Sequence, residues 1–170
     1  MGKRRDGREA AMQLLFAHDV HAKISDAERE VFWTLHTASA SVRSQAEGMV
    51  EQILSRLTEI DELISSHVQN FRMERLTPVD RNIMRLAVFE LKHTDVPVPV
   101  VLDEAIEISK KYGTSESGGF VNGVLDRIAR SLPPERTNRR PRPTDGPVSP
   151  GAGGAQGGSG ANLEHPLTQS

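Results

Sequence analysis

Between about residues 5 and 132 the apolar positions recur every three to four residues, the spacing of one buried helical face, and no stretch alternates with the period of a strand. The spacing predicts a first helix from about Asp6 to Asp19, with Ala11, Leu14, Leu15 and His18 along its inner stripe. Ser25 and Glu28 form a capping-box signature for a second helix, with Ala27, Val31, Leu35 and Ala38 expected inward. Trp33 falls off that stripe, leaving another subunit or the third helix as its neighbour. Ala46, Met49, Val50, Ile53, Leu57, Ile60 and Ile64 keep a single stripe from about Ser41 to His67. Read as one helix, that segment spans roughly 37 Å at 1.5 Å per residue, and it is the expected spine of the fold.

Thr77-Pro78-Val79-Asp80 is the clearest helix start. Thr77 suits the cap, Pro78 the first turn where its missing N–H costs nothing, and Asp80 the positive helix end. Val79, Ile83, Leu86, Ala87 and Leu91 then face inward as far as the break at Asp95-Val96-Pro97. A further helix is expected from about Pro99 to Tyr112, with Leu102, Ala105, Ile106 and Ser109 inward and Gly113 as its stop. The last runs from about Ser117 to Ser131, making the chain all-α.

Composition adds a boundary. Seven of the ten prolines and seven of the fourteen glycines follow Leu132, so residues 133–170 are expected to be a disordered tail behind one helical domain, residues 1–132. The absence of cysteine excludes disulfides, thiolate metal sites and a cysteine nucleophile. No apolar run approaches the ~20 residues of a membrane span, and a cytoplasmic location is expected. A net charge of −2 argues against a strongly basic, free-standing nucleic-acid binder. Positive charge is local instead: Lys3, Arg4, Arg5 and Arg8 stand against Asp6 and Glu9 alone.

The outward faces carry the candidate chemistry. On the last helix Val121, Val124, Leu125, Ile128 and Leu132 share the inner side, which leaves Phe120, Gly123, Arg127 and Arg130 on the outer arc. On the first helix Arg5, Glu9, Gln13 and Phe16 point away from the stripe. An aromatic ring with guanidinium groups and an amide suits single-stranded RNA, whose bases stack while its phosphates meet cations. Two readings stay open for each ring, a stacking platform or padding for a neighbouring helix, and the N-terminal arginines equally fit a solvated end. Gly118, Gly119 and Gly123 suit tight packing as well as a helix start, with Gly118 assigned to structure. His18, Asp19 and His21 lack a third clear metal ligand, and no cofactor is expected. No phosphate loop or nucleophile elbow is present, and Asp103, Glu104 and Glu107 lie on an ordinary polar face, so an enzyme is not expected.

Five segments in order, Arg4-Arg5-Asp-Gly-Arg8-Glu9-Ala-Ala-Met-Gln13-Leu-Leu-Phe16, Thr77-Pro-Val-Asp80-Arg-Asn-Ile-Met-Arg85-Leu-Ala-Val-Phe-Glu90-Leu, Asp95-Val-Pro97, Glu104-Ala-Ile-Glu107 and Phe120-Val-Asn-Gly-Val-Leu125-Asp, resemble the bacterial transcription antitermination factor NusB family. The resemblance covers about residues 4 to 131. It implies two packed three-helix bundles, about seven helices with a short connecting one. It implies binding of the boxA element of nascent ribosomal RNA together with ribosomal protein S10 (NusE), within an RNA polymerase complex that suppresses premature termination. It also implies RNA contacts at Arg4, Arg5, Arg8, Gln13, Phe16 and Phe120, and an S10 contact at Asp80. Arg127 joins the RNA set from its place on the outer arc beside Phe120.

Two positions depart from the family pattern. Phe16 stands where tyrosine is common, and Gly7 interrupts the basic segment at a cost of roughly 1 kcal/mol of helix stability, so this arm is expected to order on RNA. The same fold resembles the N-terminal domain of ribosomal RNA cytosine methyltransferases, which leaves a detached RNA-binding module as one alternative and a protein-only scaffold as another. A homodimer also stays open.

Overall fold

Thr77 Oγ1 accepts the Asp80 N–H at 3.1 Å and Pro78 opens the helix behind it, as the start signal requires. The structure, a computed structural model, describes residues 2–68 and 73–134. Its helices are α1 (Lys3–Val20), α2 (Asp26–Leu35), α3 (Ala40–Ser55), α4 (Leu57–His67), α5 (Pro78–His93), α6 (Val98–Tyr112) and α7 (Ser117–Ser131), with a 3-10 turn at Met73–Arg75. No strand occurs among the described residues, so the all-α expectation holds. Helix α1 packs on α3 and α5, helices α5, α6 and α7 pack together with α4 laid against α5 and α7, and α2 reaches α3 through Trp33. The Pro/Gly-rich tail, apart from Pro133 and Pro134, lies outside the described residues.

The spine is α5 and not the third predicted helix. Ile83, Met84, Leu86, Ala87, Val88, Phe89 and Leu91 are all buried, so every side of this helix is covered, by α1, α4, α6 and α7. Complete burial creates a demand, because Asn82, Arg85 and Glu90 are also inside and each must find a partner. Glu90 meets Arg8 of α1, 2.8 Å from its Nη2. Arg85 forks onto Asp61 of α4 through two bonds of 2.7 Å. Asp19, near the end of α1, accepts from Arg81 at 2.6 Å and from Asn82 at 3.2 Å. Arg8 with Glu90 and Asp19 with Arg81 fix α1 antiparallel to α5 at both ends.

Several expectations are corrected. The stripe from Ser41 to His67 belongs to two helices: Arg56 leaves helical geometry at φ −120°, ψ 17°, which redirects the chain so that both halves reach the core. The second helix turns its expected inner face outward, with Val31 58% and Leu35 76% exposed and Ala27 and Ala38 exposed as well. Trp33 is its one buried residue, anchored where its Nε1–H donates to Glu47 of α3 at 2.6 Å. On α6 the buried set is Val101, Ala105, Ile108 and Ser109, with Leu102 and Ile106 at the margin. The basic arm is helical from Lys3 straight through Gly7, where a Cβ would come within 2.6 Å of the Gln45 side chain. Packing against α3 thus does what the residue's own propensity does not.

Two predictions follow from the buried charges. Arg8→Ala takes the guanidinium from the enclosed Glu90 carboxylate, and urea denaturation should show a loss of about 3–5 kcal/mol, whereas Arg8→Met with Glu90→Leu should recover most of it. For Asp19, burial pushes the carboxyl up, but the Arg81 hydrogen bond and the Arg85 charge outweigh it and hold it below the ordinary carboxylate range. A lowered folded-state value means its contribution is complete above the unfolded value, about 3.9, and is lost as pH falls through the folded one. Asp19→Asn should therefore lower stability at neutral pH and flatten the acid limb of a stability–pH profile.

Candidate nucleic-acid interface

The face of α1 turned from α3 and α5 carries Glu9, Gln13, Phe16 and Val20 at helical spacing. Phe16 is 37% exposed, Val20 is exposed and Gln13 is half-buried, so an apolar ring stands in solvent beside an amide. Glu9 departs from the outward reading. It is buried because the end of α6 closes over it, Tyr112 Oη donating at 2.9 Å and Lys111 Nζ at 2.5 Å. Burial and the adjacent Glu9 carboxylate push the Tyr112 phenol up, so it stays a donor at neutral pH. Beside this cluster a groove of about 410 Å³ runs along Lys3, Asp6 and Gln13, facing Trp33, His36 and Tyr112.

The arginines divide by environment. Arg4 is exposed, and its carbonyl accepts from Gln45 Nε2 at 3.4 Å. Arg5 forks onto Glu104 of α6 with two bonds of 2.9 Å. The hydrogen bond from Arg5 holds the Glu104 carboxyl below its ordinary value, and the same bond raises Arg5, so the pair is charged at neutral pH. Arg8 is not on the surface: its side chain is 6% exposed and closed on Glu90. It was expected to meet RNA, but one helical turn beyond Arg4 it falls toward α5, whose buried carboxylate claims it.

On α7 the facing argument holds for the inner stripe from Val121 to Ile128 and for the two arginines, but Phe120, expected outward, is drawn partly in and Leu132 is only half-buried. Val121, Val124, Leu125 and Ile128 are buried, Phe120 is half-buried against the edge of the core, and Arg127 and Arg130 are exposed. Arg127 Nη2 donates to the His67 carbonyl at the end of α4 at 3.2 Å. Arg130 pairs with Asp126 one turn back at 3.0 Å. At Gly123 an added Cβ would meet nothing within 4 Å, so its backbone is open toward the same side as Phe120 and Arg127. Gly118 would meet only Ile106 at 3.9 Å, ordinary contact, and so is not required for close packing.

Asp80 is also inside. It is 7% exposed and its Oδ1 has no hydrogen-bond partner among the described residues. The resemblance implied an S10 contact here, but its place in the first turn of α5 sets it against the packed start of that helix. The Glu9–Tyr112–Lys111 cluster and the groove were not foreseen. They join residues about a hundred positions apart, and no local pattern in either segment announces the meeting.

Comparison with known proteins extends these observations. The chain is 46% identical over 139 residues to the transcription antitermination protein NusB of Anaeromyxobacter dehalogenans, covering 81% of this chain and 98% of that one. It is 47% identical over 135 residues to the protein of the same name from Sorangium cellulosum, covering 78% and 95%. Its fold matches T. maritima NusB with a TM-score of 0.69 at 36% identity, over 80% of this chain and 96% of that one. A second solved structure, of the antitermination factors NusB and NusE in complex with dsRNA, matches with a TM-score of 0.64 at 26% identity, over 78% and 99%. The sequence profile of the NusB family spans residues 5–130, which takes in α1 through nearly all of α7, and the chain belongs to that family.

Proposed function

We propose that this protein is a transcription antitermination factor that binds the boxA segment of ribosomal RNA transcripts jointly with ribosomal protein S10 (NusE), and that it acts by binding and not by catalysis. The observation that carries the reading is the match of the whole helical part to relatives named for antitermination and to a chain solved with NusE and RNA. Its place of work is then the cytoplasm, on nascent RNA at the polymerase.

The RNA face runs along the outer side of α1 and α7. Phe16 and Phe120 take bases by stacking, worth roughly 1–3 kcal/mol per base, and Gln13 offers an amide to base edges. Arg4 and Arg127 meet phosphates, and Arg5 joins them once phosphate competes with Glu104. Arg8 acts through the fold, holding α1 on α5. The exposed ring of Phe16 supports this assignment, since an apolar side chain in water gains by being covered. Asp80 serves the partner: its enclosed Oδ1 has no donor among the described residues, a costly state that a rearrangement of the start of α5 on S10 binding would relieve.

In gel-shift or anisotropy titrations with S10 present, Phe16→Ala and Phe120→Ala should each weaken boxA RNA binding by about 5- to 150-fold, with circular dichroism unchanged. Wild-type affinity in both variants would remove α1 and α7 as the RNA face. Asp80→Asn should weaken the complex with S10 measured without RNA, and should leave RNA binding by the isolated protein within about twofold.

A further inference from the structure

Stacking on Phe16 and Phe120 leaves two acids of α1 without a task. Asp6 and Glu9 stand one turn apart, Gln13 follows a turn later, and all three line the groove of about 410 Å³. Trp33 and His36 from the α2 segment and Tyr112 from α6 line it as well. The protein itself holds these rings: Trp33 Nε1–H donates to Glu47 at 2.6 Å, His36 stacks on Phe32 with centroids 3.9 Å apart, and Tyr112 Oη donates to Glu9 at 2.9 Å. A flat group entering the groove therefore costs little side-chain freedom. The volume falls within the roughly 300–1,000 Å³ of pockets for small organic groups.

The polar groups decide what kind of flat group fits. Glu9 is 8% exposed, and both of its donors, Lys111 Nζ and Tyr112 Oη, use Oε2; Oε1 accepts no hydrogen bond among the described residues. The half-buried side chains of Asp6 and Gln13 are also without hydrogen bond or ion pair among the described residues. Against the two carboxylates the lining holds one lysine, Lys3, and no arginine. Such a groove repels phosphate and takes N–H donors, because an ionised carboxylate accepts and cannot donate. Guanine presents its N1–H and 2-amino group side by side, two donors for two carboxylates. Uracil presents one N–H between two carbonyls and so sets acceptors against acceptors.

We propose that this groove is a base-selective pocket that takes one unstacked guanine of the RNA strand, with Glu9 and Asp6 accepting from its Watson–Crick edge and Trp33, His36 and Tyr112 enclosing its ring. This rests on the RNA-binding reading above and adds to it a place where sequence is chosen. The pocket continues the RNA face, since Gln13 belongs to both and Phe16 is seven residues from Glu9, about 10 Å along the helix axis. A strand with one base on Phe16 thus brings a neighbouring base to the groove. Selection works by exclusion as much as by attraction: uracil leaves its carbonyls facing carboxylates.

The test uses the full chain with S10 and a set of boxA RNAs in which each position in turn carries guanine, adenine, cytosine, uracil or inosine, the last being guanine's analogue without the 2-amino group. Anisotropy titrations should find one position at which guanine binds about 5- to 150-fold tighter than uracil, with inosine between them. Glu9→Gln keeps the side chain's shape and an acceptor for Tyr112 but replaces a carboxylate oxygen by a donor, and should bring that preference within about twofold at that position alone. Ala38→Trp, on the exposed rim of the groove, should do the same with circular dichroism unchanged. The absence of any guanine-selective position overturns the proposal. So does a Glu9→Gln loss equal for every base at every position, which would leave Glu9 only the task of holding α6 on α1. If Phe16→Ala and Phe120→Ala weaken binding while no position selects guanine, the pocket inference fails alone. If the full chain with S10 binds none of the RNAs, the function reading fails and takes this one with it.

Discussion

The buried polar groups of α5 are the constraint on which the rest of the structure depends. A helix enclosed on every side satisfies its own backbone, but it does nothing for the side chains of Asn82, Arg85 and Glu90. Each is met by a residue from another helix: Asp19 and Arg8 from α1, Asp61 from α4. Replacing one partner strands a charge in a medium of low dielectric, so the pairs act as register pins that discriminate strongly against misplacement even where their net stabilisation is modest. With α1 pinned at both ends, Gln13 and Phe16 are left no freedom to rotate inward.

That pinning also determines what the protein can offer a polyanion. An arginine used to hold the fold is withdrawn from the surface, and the chain spends Arg8, Arg81 and Arg85 in this way and holds Arg5 half-engaged. The outer faces of α1 and α7 are consequently better suited to stacking and base-edge contacts than to neutralising phosphates. Under the proposed function, much of the positive charge toward RNA comes from the partner protein. The net charge and the ion-pair geometry lead to the same division of labour by independent routes.

Helix α2 shows the opposite case, an element held by little. It touches the body through Trp33 and Glu47 and through ion pairs of Arg29 with Glu47 and Arg43 with Glu30, while Val31 and Leu35 lie in solvent. Its capping box is complete, Ser25 N–H donating to Glu28 at 2.7 Å, so local signals are sufficient to form the helix. They are not sufficient to say which side of it is covered.

Most helices and several of their boundaries were written in the residues: the caps at Ser25 and Thr77, the break at Pro97, and the inner stripe of α7 at Val121, Val124, Leu125 and Ile128. So were the outward positions of Phe16 and Arg127, whereas Phe120, expected on the outer arc, is half-buried against the core. These features depend on the 3.6-residue period and on groups within one or two turns of each other, and both can be read along the chain. What tertiary structure alone decided is where charges find their opposites. That Arg8 would be closed on Glu90, Glu9 covered by Tyr112, Asp80 enclosed and the long stripe divided at Arg56 depends on residues brought together across the fold. An arginine has the same codon-level identity on a surface as in a core, and only the distance to a buried carboxylate, set when helices pack, determines which it becomes.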